Sequence, residues 1–373
     1  MRRLPVLMLS IVLAVPSLLL AADLAFTEAD GVRWYDIGQL GVEGRGWTEL
    51  SSPYDRLPAK AQGVVRDAVW NLSRDSAGMA VRFVTDATAI HARWTLTKPR
   101  LEMPHMPATG VSGLDLYAKD DHGTWRWVAN GRPAGQTTAA VLADGLRPGR
   151  REYMLYLPLY NGVTSVEVGV PADNEIEDAP AYPAERAKPI VFYGTSITHG
   201  ACASRPGMVH TAILGRWYHR PVINLGFSGN GRMEPEVTAL MAELDAAVYV
   251  IDCCPNLGGE QTAERTRPLV EQLRASRPDA PIVLVEDRRY TDAWIRGAKA
   301  ERNDGNHAAL RAAYEELLAA GVKHLYYIPG DQLLGDDNDG AVDSSHPNDL
   351  GFYRQAVEFD RVLRPLVAEA GSN

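Results

Sequence analysis

The chain has 373 residues, 46% hydrophobic and 23% charged, which is too much apolar material for one ordinary core and predicts two domains. Its 47 acidic residues outnumber 38 basic ones, for a formal net charge of -9. There is no Lys/Arg block long enough to follow a phosphate backbone, so nucleic acid is not an expected partner.

Residues 1–22 open with Met1-Arg2-Arg3, continue as an apolar run from Leu4 to Leu20 and end in Ala21-Ala22, the order of an export signal. The run is at the short end of what spans a membrane, about 17 residues, and Pro5, Pro16 and the small exit pair favour cleavage over a stable anchor. The mature protein is therefore expected in the periplasm or outside the cell. An oxidising compartment permits a disulfide, and Cys202, Cys253 and Cys254 leave two readings open: small buried thiols, or a bridge from Cys202 to one of the adjacent pair. No CxxC or His pair at ligand spacing accompanies them, so no metal is expected.

Residues 23–170 read as short strands separated by Gly, Asn and Asp: Val32 to Ile37, Ala80 to Thr85, Ala89 to Thr95, Leu114 to Ala118, Thr124 to Ala129, Tyr153 to Leu159 and Thr164 to Val170. Their spacing and alternation predict an antiparallel β-sandwich with almost no helix. Residues 171–189 are acidic and proline-rich without an apolar period, the composition of a linker.

From 190 to 373 the pattern changes to apolar strand, loop and amphipathic helix in repetition. Strands are expected at Ile190 to Tyr193, Val222 to Leu225, Ala247 to Ile251, Ile282 to Val285 and His324 to Ile328. Helices fit at Val209 to Tyr218, Pro235 to Leu244, Ala263 to Ala275, Asn306 to Ala320 and Leu350 to Val367. Continuous apolar strands alternating with helices predict an α/β unit, a five-stranded parallel sheet covered on both faces. Such sheets gather their chemistry at the carboxyl ends of the strands.

Four of those ends carry suitable residues. After the first strand, "FYGTSITHG" sets Ser196 on a turn into a helix, where a hydroxyl is a nucleophile or an ordinary helix cap. The second runs into "NLGFSGNG" and the third into "IDCCPNLGG", so that Gly229 and Asn256 offer donors of the kind that hold an oxyanion, or simply form turns. Past the fifth, "DSSHPNDLG" places Asp343 three residues before His346, a spacing that lets a carboxylate orient an imidazole. Taken separately, each has a structural reading; together they form a set.

That set, over Ile190 to Leu366, resembles the SGNH (GDSL-type) hydrolases. The resemblance implies a flavodoxin-like hydrolase fold, a Ser196, Asp343 and His346 triad, an oxyanion hole from the amides of Ser196 and Gly229 plus Asn256, and an acyl-serine intermediate without a cofactor. Two departures stand out: Thr195 replaces the usual Asp, and "CCPN" replaces the usual Gly-x-Asn-Asp. The first half is similar to the jelly-roll-like sandwich that precedes this unit in some bacterial members, with "SGLDLYA" matching a GxDLY segment.

Arg205 and Glu286 are further candidates for substrate contact, and His210 and Asp252 also fall near strand ends. The expected activity is hydrolysis of a short acyl ester, acetyl by preference, on a small molecule or oligosaccharide. A longer-chain lipase or thioesterase and a non-catalytic carbohydrate-binding protein are the alternatives.

Overall fold

The computed structural model describes residues 24–369, so the export segment at 1–22 lies outside the described residues. The first half forms two antiparallel sheets. Its strands are β1 (Thr27–Ala29), β2 (Val32–Asp36), β3 (Val42–Glu43), β4 (Ala80–Thr85), β5 (Ile90–Leu96), β6 (Leu114–Lys119), β7 (Trp125–Gly131), β8 (Thr137–Ala143), β9 (Arg151–Tyr156), β10 (Val163–Pro171) and β11 (Glu177–Asp178). One sheet runs β1-β2-β10-β5-β8 and the other β11-β4-β9-β6-β7, with β3 also on β4. Strand β5 shows why the layers close: Ile90, Ala92, Trp94 and Leu96 point inward while His91, Arg93 and Thr95 are partly exposed. Buried Trp94 meets Val166 of β10 in register, and its indole N–H donates to the Ser112 carbonyl at 3.2 Å.

The expected linker is more ordered than its composition suggests. Within it, β11 pairs with β4, Ile176 is buried in the sandwich core, and the Tyr182 hydroxyl donates to Glu43 at 2.8 Å. Two helices also interrupt the first half, α1 (Asp67–Ser73) and α2 (Ala108–Val111). The stretch leading into α1 leaves the sandwich altogether: Leu57, Ala61, Val65, Val69 and Trp70 pack into the core of the second unit.

That unit is the expected parallel sheet. Strands β12 (Ile190–Gly194), β13 (Val222–Gly226), β14 (Val248–Asp252), β15 (Ile282–Val285) and β16 (Leu325–Ile328) lie in the order β13-β12-β14-β15-β16, all pairs parallel. Helices α3 (Ser196–His199), α4 (His210–Tyr218), α5 (Pro235–Met241), α6 (Gly259–Ser276), α7 (Gly297–Ala319) and α8 (Asp349–Glu369) complete it. The two faces divide each strand by its period of two. Val191, Tyr193, Tyr249 and Ile251 join one core with α1, α5, α6 and α7, whereas Ile190, Phe192, Val248 and Val250 join another with α4 and α8. Each buried side chain of this size contributes roughly 1.5–3 kcal/mol. The chain leaves β12 for β13 on one side and then crosses over to β14 on the other, so a crevice opens at the carboxyl ends of β12 and β14.

His210, at the start of α4, belongs to the core. Its ring stacks on Phe352 and meets Phe192 and Phe359 edge-on, and among the described residues neither ring nitrogen has a hydrogen-bond partner. Burial, with the Arg288 charge nearby, holds its pKa well below the ordinary 6.5. The unfolded chain therefore binds a proton that the folded core refuses. Stability is full above about pH 6.5 and falls below it, by about 1.4 kcal/mol per pH unit for one such group. His210→Phe, which keeps the ring packing, should show a smaller drop in urea midpoint between pH 6.5 and 5 than the parent protein. An equal drop in both would mean that His210 takes up its proton without unfolding.

Candidate active site

Strand β12 ends in Gly194, and Thr195 begins α3 by accepting the Ile197 amide on its hydroxyl at 3.3 Å. A threonine thus does the capping that an aspartate could do, which accounts for the departure at this position. Ser196 follows as the first helical residue, almost fully buried at 8% exposure. Its Oγ is 2.8 Å from His346 Nε2. His346 Nδ1 lies 2.7 Å from Asp343 Oδ2, and Asp343 Oδ1 accepts the His346 amide at 2.8 Å. The Nδ1 partner is a carboxylate, so Nδ1 carries the proton and Nε2 is left to accept from the serine. Partial burial raises the Asp343 pKa, but the hydrogen bonds and charge of His346 outweigh it and bring the carboxyl below its ordinary value.

The loop carrying this pair is held under strain. Ser344, between the two, has φ +73, a conformation that costs a non-glycine residue about 1–3 kcal/mol. The Ser344 carbonyl accepts the Thr291 amide at 3.0 Å, and its hydroxyl accepts from Lys299 Nζ at 2.5 Å. An Ala341 to Pro347 bridge and the Val342 to His346 bond close the loop across its neck.

The second and third loops crowd against the first. Gly231 lies so close to Gly194 that any Cβ would collide with the Gly194 carbonyl. Its own carbonyl accepts from Asn256 Nδ2 at 3.2 Å, which leaves the second amide hydrogen of Asn256 unused. Gly229 adopts φ +67, in the left-handed region that glycine tolerates. Among the described residues, no acceptor takes the backbone N–H of Ser196 or Gly229.

The sandwich reaches this site, which sequence spacing does not reveal. Tyr160, after β9, donates its hydroxyl to the Ser196 carbonyl at 3.2 Å and stacks its ring on His199 at 4.1 Å. His199 Nε2 donates in turn to the Leu159 carbonyl at 2.7 Å, and burial beside Arg56 holds this imidazole neutral. Exposed His105 sits edge-on to the His346 ring at 6.0 Å. Trp294, 75% exposed, lies three residues past Thr291, whose amide donates to the Ser344 carbonyl. The one available signal was position, since Trp294 follows the fourth strand at its carboxyl end.

The remaining candidates have other partners. Arg205 Nη1 donates to Asp115 Oδ2 at 2.8 Å and to the Tyr117 hydroxyl at 2.6 Å, joining the two units; both partners come from the GxDLY segment. Glu286, expected near substrate, is buried and accepts from Arg311, the Tyr327 hydroxyl and the Gly330 amide, so its carboxylate is fully engaged in the sheet. Asp252 is buried against Arg288 at 2.7 Å and accepts from Thr198. All three cysteines are free and buried, so the disulfide alternative is not realised. Burial, helped by the Asp343 charge, pushes the Cys202 thiol up to about 12, and no thiolate competes with Ser196. Among the described residues no group of three or more His, Cys, Asp or Glu could hold a metal ion, and no helix is long and apolar enough to cross a membrane.

Residues 187–364 match the model of the GDSL-like lipase/acylhydrolase family, and residues 32–176 match that of the GxDLY N-terminus of SGNH-type esterases. A protein of Bacteroides ovatus ATCC 8483 assigned to the GDSL-like lipases is 34% identical, with a TM-score of 0.84 over 90% of this chain and 98% of its own. A salicylyl-acyltransferase from a tetracycline biosynthetic pathway is 19% identical, with a TM-score of 0.70 over 91% and 98% of the two chains. An acetyl xylan esterase of Butyrivibrio proteoclasticus is 11% identical, with a TM-score of 0.56 over 90% and 98%. Among curated proteins none matches.

Tyr160→Phe removes only the hydroxyl that fixes the Ser196 carbonyl, an interaction of about 1 kcal/mol. Ester turnover should fall about fivefold with the thermal midpoint nearly unchanged. Unchanged turnover would show that the nucleophile turn does not need this contact.

Proposed function

The chain belongs to the GDSL-like lipase/acylhydrolase family of SGNH hydrolases, and from that premise we propose that it is a serine esterase acting on short acyl groups, acetyl first, carried by a carbohydrate. The observation that carries this reading is the hydrogen-bonded run from Ser196 Oγ through His346 to Asp343, at 2.8 and 2.7 Å. Nε2 of His346 takes the serine proton as Oγ attacks the ester carbonyl, and Asp343 stabilises the imidazolium that forms. Negative charge developing on the carbonyl oxygen is met by the unpaired Ser196 and Gly229 amides and the spare Asn256 hydrogen. His346 then returns its proton to the departing sugar oxygen, and water releases the acid by the same steps in reverse order. No step calls for a cofactor.

Carbohydrate is favoured by exposed rings beside the loop that carries His346. His105 presents an exposed ring edge-on to His346, Trp294 is exposed three residues past Thr291, whose amide bonds the Ser344 carbonyl, and an indole face suits a sugar ring better than an acyl tail. The leading residues 1–22 point to export, where such substrates are met.

Hydrolysis of p-nitrophenyl acetate, butyrate and octanoate, together with acetylated xylo-oligosaccharide, tests the reading. Acetyl esters should be preferred, with acetate released from the sugar. Ser196→Ala should lower kcat by at least about 10⁴-fold and Asp343→Asn by a similar order. An octanoate optimum would favour the lipase alternative. Equal rates in the parent and Ser196→Ala proteins would remove Ser196 from the mechanism.

A further inference from the structure

A second concave surface lies away from the triad. It encloses about 760 Å³ between β6–β7 of the sandwich and the α4 and α8 helices, with the connecting segment at its edge. Helix α4 descends from His210 to Tyr218 and hands over to the start of β13 at Val222, so the groove faces the amino ends of the parallel strands. Ser196 is at the opposite, carboxyl end.

The walls carry Lys119, Arg126, Arg186, Arg216 and Arg364 against the single carboxylate of Asp360. Three of these cations are neutralised close by: Lys119 pairs with Glu152 at 2.6 Å, Arg126 with Asp120 at 2.8 Å and Arg364 with Asp360 at 2.9 Å. Among the described residues, Arg186 and Arg216 have no carboxylate within ion-pair distance. In a chain of net charge -9, two uncompensated guanidinium groups in one groove form a local exception.

Arg216 is also held ready. Its Nη2 donates to the Gly207 carbonyl at 2.7 Å, its Nη1 to the Tyr156 hydroxyl at 3.2 Å, and its guanidinium lies 4.0 Å over the Tyr117 ring. These are neutral partners, so its charge remains available while its position is fixed. Two indoles, Trp125 and Trp217, share the wall, with Trp217 36% exposed and braced edge-on by Tyr353.

We propose that this groove is a second carbohydrate site, taking a uronate-bearing oligosaccharide whose carboxylates meet Arg186 and Arg216 and whose ring face lies on Trp217. Guanidinium forks match carboxylates two oxygens at a time, and indoles cover the apolar face of a pyranose. The choice of a saccharide over other organic anions rests on the carbohydrate-ester reading of the catalytic centre. The anion site itself does not.

Calorimetric titration of the Ser196→Ala protein with trigalacturonate, xylotriose and inorganic phosphate tests this without any turnover. Trigalacturonate should bind and weaken with added salt, xylotriose should bind at least tenfold less tightly, and phosphate should not compete. Arg186→Gln and Trp217→Ala, both at exposed positions, should each weaken trigalacturonate at least fivefold. In the Ser196 background the same two substitutions should leave p-nitrophenyl acetate turnover unchanged. Absence of trigalacturonate binding, binding indifferent to both substitutions, or phosphate binding as tightly as the saccharide would overturn the proposal. Because catalysis is read separately, failure here leaves the esterase reading standing, and loss of esterase activity leaves the anion site but removes the ground for choosing a saccharide.

Discussion

The segment from Ser196 to Gly207 is gripped from both sides, and the geometry of the Ser196–His346–Asp343 cluster depends on that grip. The parallel sheet fixes its start, through Thr195 and the Gly194 to Gly231 contact. The sandwich fixes the rest. Tyr160 holds the Ser196 carbonyl, Leu159 holds His199, Thr109 donates to the Ser204 carbonyl at 2.6 Å, and Asp115 accepts the Gly207 amide at 2.8 Å. Gly110 approaches the Ala203 carbonyl so closely that a Cβ there would collide with it. A loop after a strand is ordinarily a mobile element; this one has its polar backbone satisfied by a second domain.

The electrostatics of the seam are those of a sealed interface. Buried Arg56 donates to the carbonyls of Gly226 at 2.6 Å, Leu72 at 2.6 Å and Asp75 at 2.8 Å, tying the second loop to the first half of the chain. Asp115 takes donors from Arg205, Gly207 and the Trp127 indole, so its buried charge is surrounded by three hydrogen bonds. Removing one partner of such a pair leaves an uncompensated charge, typically at a cost of about 3–5 kcal/mol. The GxDLY segment is therefore a docking element, and the sandwich is a structural part of the candidate site. His346 arrives from the other direction on a loop whose strain is borne by Thr291 and Lys299. Ser196 and His346 are each held by independent supports, the condition for a preorganised site.

The sequence made most of the parallel unit legible because its strands are buried on both faces and read as unbroken apolar runs; Ile282 to Val285 is found unchanged. The sandwich was legible where alternation is strict, as in Ile90–Leu96, expected at Ala89 to Thr95, and missed where side chains are small or strands are two or three residues long, as in Thr137–Ala143 and Glu177–Asp178. Ser196, Asp343 and His346 could be named because each lies in a local pattern with its own chemistry. Tyr160 and His105 could not, since their significance comes from contacts with residues far along the chain. The same limit explains Arg205, Glu286 and His210: proximity to a strand end does not say whether a side chain turns toward the crevice, the domain seam or the core. Helix α1 escaped for a related reason, being a short element of the first half whose apolar face completes the core of the second.

The claim at the centre of this account is that Ser196 Oγ is the nucleophile. Treatment with a phosphonylating p-nitrophenyl ester, followed by peptide mapping of the inactivated protein by mass spectrometry, tests it most directly. One phosphonyl group per chain is expected, on the peptide containing Ser196, with modification and loss of esterase activity proceeding at the same rate. Full inactivation with the label on another residue, or complete labelling of Ser196 with activity retained, would contradict it.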